Sequence, residues 1–197
     1  MNNQEKLKKL IKEQKGTVLS SDLSKYEIPR EYLSIMVAEG SLERVRRGVY
    51  VSTDAIEDEI YALQNKYPKI IYSHETALYI HGLTDRTPFI YSVTVPSGYK
   101  VVDTLSDQCK VFYIKANLHM LGVMEEESPH GNPIKVYTIE RTMCDLLRRK
   151  DRIDIQIFSE ALKRFSKLES IDFNLLMNYS RKLKVEQLVR TYMEVLL

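Results

Sequence analysis

Residues 20–51 read SSDLSKYEIPREYLSIMVAEGSLERVRRGVYV, and their spacing predicts a helical turn, a second helix and a tight two-stranded ribbon. Ser20 is placed to cap a helical turn through Leu23, and Tyr26-Glu27-Ile28 makes the turn after it. Pro29 suits the first turn of a helix, because its φ is already helical and its missing N–H has no partner there. Tyr32, Leu33, Met36 and Val37 then recur on one face at helical spacing, leaving Arg30, Glu31, Ser34 and Ala38 on the other. Gly40 stops the helix. Leu42, Val45, Val49 and Val51 flank Arg46-Arg47-Gly48, a hairpin signal with glycine at the turn. The order predicts a winged helix-turn-helix, an arrangement used to bind double-stranded DNA.

Working outward, Asn3 to Lys15 reads as an amphipathic helix closed by Gly16. Leu7, Leu10, Ile11 and Gln14 take one side, and Lys6, Lys8, Lys9, Lys12 and Lys15 crowd the rest. Downstream, Ser52-Thr53-Asp54 ends the module and is placed to cap a linking helix from Ala55 to Lys66, which Tyr67-Pro68 stops. The expected domains are therefore 1–53 and 54–197. In the second, short strands are expected at Ile70–Tyr72, Phe89–Val95, Lys110–Lys115, Gly122–Glu127 and Ile134–Tyr137. A helix capped by Ser73 runs to His81, with Gly82 as its stop. After Thr138 the pattern turns helical: Ile139–Lys150, Ile155–Phe165, Phe173–Leu183 and Val185–Leu197, with Asp154 and Asp172 as N-caps. The predicted fold class is α+β: an N-terminal winged helix-turn-helix, then a mixed α/β domain with a small sheet over 70–137 and a C-terminal helical bundle.

At 197 residues, 44% hydrophobic and 28% charged, the chain has the composition of an ordinary globular protein with room for two modest cores. No apolar run approaches the roughly 20 residues a membrane helix needs, so no membrane partner is expected. The opening MNNQEKLKKL lacks the apolar centre of a signal peptide, which makes the cytoplasm the expected location. Cys109 and Cys144 are isolated, without metal-type spacing, and are expected to be reduced and structural. The formal charge of +2 is unevenly spread. Residues 1–50 carry 10 Lys/Arg against 7 Asp/Glu, residues 51–140 carry 7 against 12, and residues 141–197 carry 12 against 8. A basic front end fits a phosphate-facing module.

The arginines Arg44, Arg46 and Arg47 have no packing reason to gather at a hairpin tip, and a DNA backbone or minor groove would relieve their repulsion; a solvated turn is the plainer reading. Arg30 and Ser34 face away from the core side of the Pro29 helix, toward base edges or phosphates. With Lys25 and Tyr26 in the turn before that helix, these seven are the expected DNA-binding residues. No catalytic set is found. His74, His81, His119 and His130 are scattered, and His74 and His81 alone make no zinc site. There is no GxxxxGK loop, and the acidic runs 57–59 and 125–127 read as solvated faces. Gly40-Ser41 followed by Asp54 lacks the second carboxylate of a nucleotidyltransferase site. No metal, no cofactor and no enzymatic activity are expected. A nucleotide- or toxin-modifying enzyme and a plain ligand-sensing or dimerising regulator remain the alternatives.

REYLSIMVAEGSLERVRRGVYV resembles the opening module of AbiEi-type antitoxins, through Gly40, Leu42, Arg44, Arg47, Gly48, Val49 and Tyr50. The resemblance continues through Ser73, Ala77, Leu78, His81, Gly82 and Leu83, then Thr94, Val95 and Pro96, then Glu140, Arg141, Thr142 and Asp145. It implies an antitoxin and transcriptional autorepressor of an abortive-infection (phage defence) operon, binding inverted repeats in its own promoter. Its second domain would counter a nucleotidyltransferase-like toxin without a stable complex. The protein is expected to be a monomer in solution that binds cooperatively on DNA. The antitoxin-domain candidates are Arg141, Asp145, Arg148, Arg149, Lys150 and Arg152. Arg141 and Asp145, four apart, read equally well as an internal ion pair.

Overall fold

In the computed structural model, which describes residues 2–196, the first helix starts on a reciprocal cap. The Asn2 side chain accepts from Glu5 N, and Glu5 Oε2 accepts from Asn2 N, each at 2.8 Å. Helix α1 (Asn3–Glu13) buries Leu7 and Leu10. Strand β1 (Thr17–Leu19), absent from the sequence reading, follows and is buried throughout. Ser20 does not cap a turn. Its N–H donates to Gly48 O at 2.9 Å, and the helical turn is a 3-10 helix over Leu23–Tyr26. Helix α2 (Glu31–Ala38) buries Leu33 and Met36, whereas Val37, expected on the same face, is exposed. Gly40, at φ +74, supplies the left-handed end residue. Ser41 N then reaches back to Met36 O at 2.9 Å, satisfying a carbonyl the helix leaves open.

Strands β2 (Leu42–Arg46) and β3 (Val49–Ser52) form the expected hairpin, with a register shift between Arg44 and Arg46. β1 pairs antiparallel with β3, giving the order β1-β3-β2. Leu7, Leu10, Val18, Leu23, Ile28, Leu33, Met36 and Leu42 pack into one core. Helix α3 (Glu59–Lys66) begins at Glu59 rather than Ala55, because Asp58 caps it: Asp58 Oδ1 accepts from Tyr61 N at 3.0 Å. The chain divides at Pro68/Lys69 rather than at 53/54, and Glu127–Ile134 belongs to the first unit. The linking helix lies in the first unit for a physical reason. Asp58 N donates to Thr17 Oγ1 at 2.9 Å, and the Tyr61 hydroxyl accepts from Gln14 Nε2 at 2.9 Å and donates to buried Asp22.

After Pro68 the chain continues through β4 (Ile71–Tyr72), α4 (His74–Ile80), β5 (Tyr91–Pro96), α5 (Asp103–Ser106), β6 (Cys109–Ile114), α6 (Ala116–His119), β7 (Val123–Glu127) and β8 (Pro133–Tyr137), all in the second unit except Glu127 and Pro133–Ile134. The sheet is mixed, as predicted, in the order β6-β5-β4-β8-β7. β5 pairs antiparallel with β4 and parallel with β6, and β4 pairs parallel with β8. The four-residue α5 and α6 carry too little periodicity to be read from sequence. Then come α7 (Ile139–Arg148), α8 (Ile155–Phe165), α9 (Phe173–Lys182) and α10 (Glu186–Leu196); Leu197, expected at the end of the last helix, lies outside the described residues. Thr138, Asp154 and Asp172 cap three of them through their side chains. Met143, Leu146, Phe158, Leu162, Phe165, Leu176 and Val189 join Leu78 and Leu83 in a common core. No helix among the described residues is long and apolar enough to cross a membrane.

Candidate nucleic-acid interface

The first unit holds α2 and the β2–β3 hairpin at one end of its core, since Leu33 and Met36 of the helix and Leu42 of the strand share that core. What these elements do not bury they present to solvent. Arg30, immediately before α2, and Ser34, one turn on, are exposed, as are Arg44 on β2 and Arg47 at the turn. Among the described residues none of these four is held by an ion pair or a side-chain hydrogen bond, so all four are available to an anionic partner. Tyr26 is exposed as well.

Two of the seven expected residues are tied down instead. Arg46 pairs with the Glu57 carboxylate, which is the more buried partner, with side-chain exposures of 43% and 18%. Burial raises the Glu57 carboxyl above its ordinary range, and the Arg46 charge opposes that. The expected three-arginine cluster is therefore two open arginines and one neutralised one. Nothing in the sequence marks Glu57, which sits in an acidic run. Lys25 Nζ is 2.8 Å from Asp22 Oδ1, and this hydrogen bond and charge raise the lysine above its usual value. Asp22 Oδ2 in turn accepts from Gln14 Nε2 at 2.9 Å and from the Tyr61 hydroxyl at 3.3 Å. Lys25 thus closes a network that braces the module.

In the second unit, Arg141 and Asp145 form a buried pair, Nε to Oδ2 at 2.9 Å. Arg141 Nη1 donates to Leu118 O at 3.1 Å and Leu121 O at 2.8 Å, and the guanidinium lies 4.2 Å from the centre of the Tyr137 ring. Gly122 allows this fit: a Cβ there would come within 2.8 Å of Arg141 Cβ. Burial raises the Asp145 carboxyl, and Arg141 pulls it the other way. Arg148 is exposed and Arg149 partly so. Both line a depression with Arg141, Asp145, Thr94 and His74, whereas Lys150 and Arg152 do not.

His74 was not singled out as a site residue in the sequence. It has φ +49, an uncommon conformation for a residue with a side chain. Its ring stacks on Phe112 at 3.6 Å, and Nδ1 is 3.0 Å from Ser73 Oγ, which accepts from Thr94 Oγ1 at 2.8 Å. Ser73, the expected cap of α4, therefore makes no side-chain cap hydrogen bond. Cys109 and Cys144 are free and buried, and burial pushes their thiols up to about 11 and about 12. Among the described residues no group of three or more His, Cys, Asp or Glu side chains is placed to hold a metal.

Residues 5–53 match the family model described as "Transcriptional regulator, AbiEi antitoxin", so the opening module is of the AbiEi type. The resemblance read from the hairpin and the helix before it is borne out over that stretch. The crystal structure of the RV2827C protein from Mycobacterium tuberculosis is similar in fold, with a TM-score of 0.54 at 14% identity. The match covers 84% of this chain and 66% of that one. No curated protein matches the sequence.

Proposed function

We propose that the protein is a cytoplasmic antitoxin and transcriptional autorepressor of an abortive-infection operon, a phage-defence device, with no catalysis of its own. The first unit serves as a winged helix-turn-helix: α1, the 3-10 turn and α2 form the helical part, and the β2–β3 hairpin is the wing. The observation that carries this reading is the set of unpaired, exposed residues Arg30, Ser34, Arg44 and Arg47, spread over α2 and the hairpin of an AbiEi-type module. Arginines at a helix start and a hairpin tip suit a phosphate backbone on either side of a groove. The second unit, with its sheet and C-terminal helical bundle, counters a nucleotidyltransferase-like toxin without forming a stable complex.

A single module of this size reads few base pairs, so a monomer should bind weakly and two copies on an inverted repeat cooperatively. Footprinting of the full-length chain on the promoter of its own operon should show two protected half-sites separated by about one helical turn or a multiple of it. One uninterrupted asymmetric footprint would remove the paired-repeat reading. Co-expression with the toxin encoded beside it should restore growth, and absence of rescue by a well-expressed chain would remove the antitoxin assignment.

A further inference from the structure

The outward sides of α1 and α2 are built differently, although both helices pack on the same core. On α1 the exposed positions include Lys8, Lys9, Lys12, Glu13 and Lys15. On α2, Glu31, Ser34, Ile35 and Ala38 recur at i, i+3, i+4 and i+7, which sets them in one row opposite Leu33 and Met36, and all four are exposed. Ile35 keeps 42% of its surface in solvent. One exposed isoleucine is ordinary on a protein surface. Its setting is more telling. The row holds two apolar residues, one hydroxyl, one carboxylate and no cation, while the exposed cations stand beside it, Arg30 at the N-cap and Arg44 and Arg47 on the hairpin. A row headed by a carboxylate is unsuited to phosphates, so its complement on a duplex is the base edges.

We propose that Ile35 and Ala38 read the C5-methyl groups of thymines in the major groove, so that each operator half-site carries A·T pairs where α2 lies. This rests on the DNA-binding reading of the first unit and adds the base that its helix selects. The major groove admits an α-helix, and thymine is the one base whose edge there carries an apolar group; the other edges offer donors and acceptors. An apolar side chain laid on a polar edge strips its water without replacing the hydrogen bonds, which costs free energy. Laid on a methyl group, the same side chain removes apolar surface from water on both partners. Selectivity for thymine therefore has a favourable and an unfavourable half. Ser34, in the same row, adds a hydroxyl that can bond to either kind of edge. A duplex supplies phosphates for Arg30, Arg44 and Arg47 and methyl groups for the row beside them, whereas an apolar protein surface supplies no anion for the arginines.

The test is titration of the full-length chain, at one fixed salt concentration, with duplexes of three kinds. These are the promoter segment of its own operon, the same segment with each half-site thymine replaced in turn by deoxyuridine, and an unrelated sequence. Deoxyuridine removes the methyl group and keeps the base pair, so the comparison on the parent chain needs no substitution in the protein. At one or more positions in each half-site it should weaken binding about fourfold, the worth of one buried methyl group. Ile35→Ser should weaken binding to the natural promoter by a similar factor and bind it and the deoxyuridine duplex equally at one of those positions. Its salt slope should be unchanged, because no phosphate contact is lost. Ile35→Val keeps an apolar branch and should retain the thymine preference. Val37→Ser, exposed but off the row, should retain it too. Equal affinity of the parent chain for the natural promoter and every deoxyuridine duplex, with the promoter still preferred over the unrelated sequence, would overturn this inference alone. A thymine preference that survives at every position in both Ile35→Ser and Ala38→Ser would overturn it as well, by placing the methyl contact elsewhere. No preference of the parent chain for its promoter would remove the DNA-binding reading and this inference together.

Discussion

Glu57 holds back one of the arginines closest to the hairpin turn. Its carboxylate neutralises Arg46, so Glu57→Gln should free that guanidinium and raise promoter affinity a few-fold. The log–log salt slope should steepen by about 0.9 if Arg46 then reaches a phosphate. A fall in affinity would mean instead that Glu57 positions Arg46 for DNA. His74 gives the second unit a pH dependence. Burial pulls its pKa from 6.5 down to about 3, with the charges of Lys110 and Arg149 adding to the effect. The folded state therefore binds fewer protons than the unfolded chain between those values. Its contribution is full above about pH 6.5 and is lost as pH falls toward 3, at about 2 kcal/mol by pH 5. His81 and His119, also lowered by burial, act in the same direction, while Glu57 and Asp145, raised by burial, act in the opposite one. The informative quantity is thus the difference between the parent and His74→Asn in denaturant melts from pH 7 to 5. Asparagine tolerates the positive φ, and parallel curves for the two proteins would exclude His74 as the cause.

The β2–β3 hairpin contributes charge to the surface but little to the core, since only Leu42, Val49 and Val51 of its two strands are buried. Removing its exposed arginines should therefore leave the fold intact. Arg44→Ala with Arg47→Ala is expected to weaken DNA binding almost uniformly across base sequences. The salt slope should flatten by about 1.8, close to one unit for each lost phosphate contact. Titration at several salt concentrations checks this, and an unchanged slope would count against the hairpin as a phosphate-contacting element. α2 differs, because Arg30 at its N-cap and Ser34 within it belong to a helix that also supplies Leu33 and Met36 to the core. Changes there are expected to alter discrimination between base sequences more than overall affinity.

The first unit is discontinuous in the chain, and Asp58 is where its two pieces join. Asp58 is fully buried, and its Oδ2 accepts from the Ser128 hydroxyl and from Asn132 Nδ2, the latter at 2.9 Å. Both donors come from Glu127–Ile134, nearly sixty residues beyond Pro68. Ser128→Ala and Asn132→Ala should each destabilise the first unit by about 1–3 kcal/mol by leaving a buried carboxylate short of a donor. The double variant should lose promoter affinity at elevated temperature before it does so at low temperature. For the same reason a chain cut at Pro68 should melt below the intact protein, and equal melting would show that the network adds nothing.

Much of this architecture lies in local sequence. Helix ends set by Asn2, Gly40, Thr138, Asp154 and Asp172, the periodic apolar faces of α7 to α10, and the arginine-bearing hairpin all depend on residues a few positions apart, where spacing alone decides the outcome. The AbiEi-type module was legible for that reason. What the sequence could not show are the pairings between distant residues. β1 is three residues long and exists because β3 offers it a partner. Arg46 is neutralised by Glu57, and Asp58 is completed by Ser128 and Asn132. Arg141 and Asp145 are a local pair by spacing, but only the packing of Gly122, Tyr137 and the carbonyls of Leu118 and Leu121 buries them. Charge and periodicity are properties of the chain, whereas desolvation and the choice of partner arise only once distant segments have been brought together.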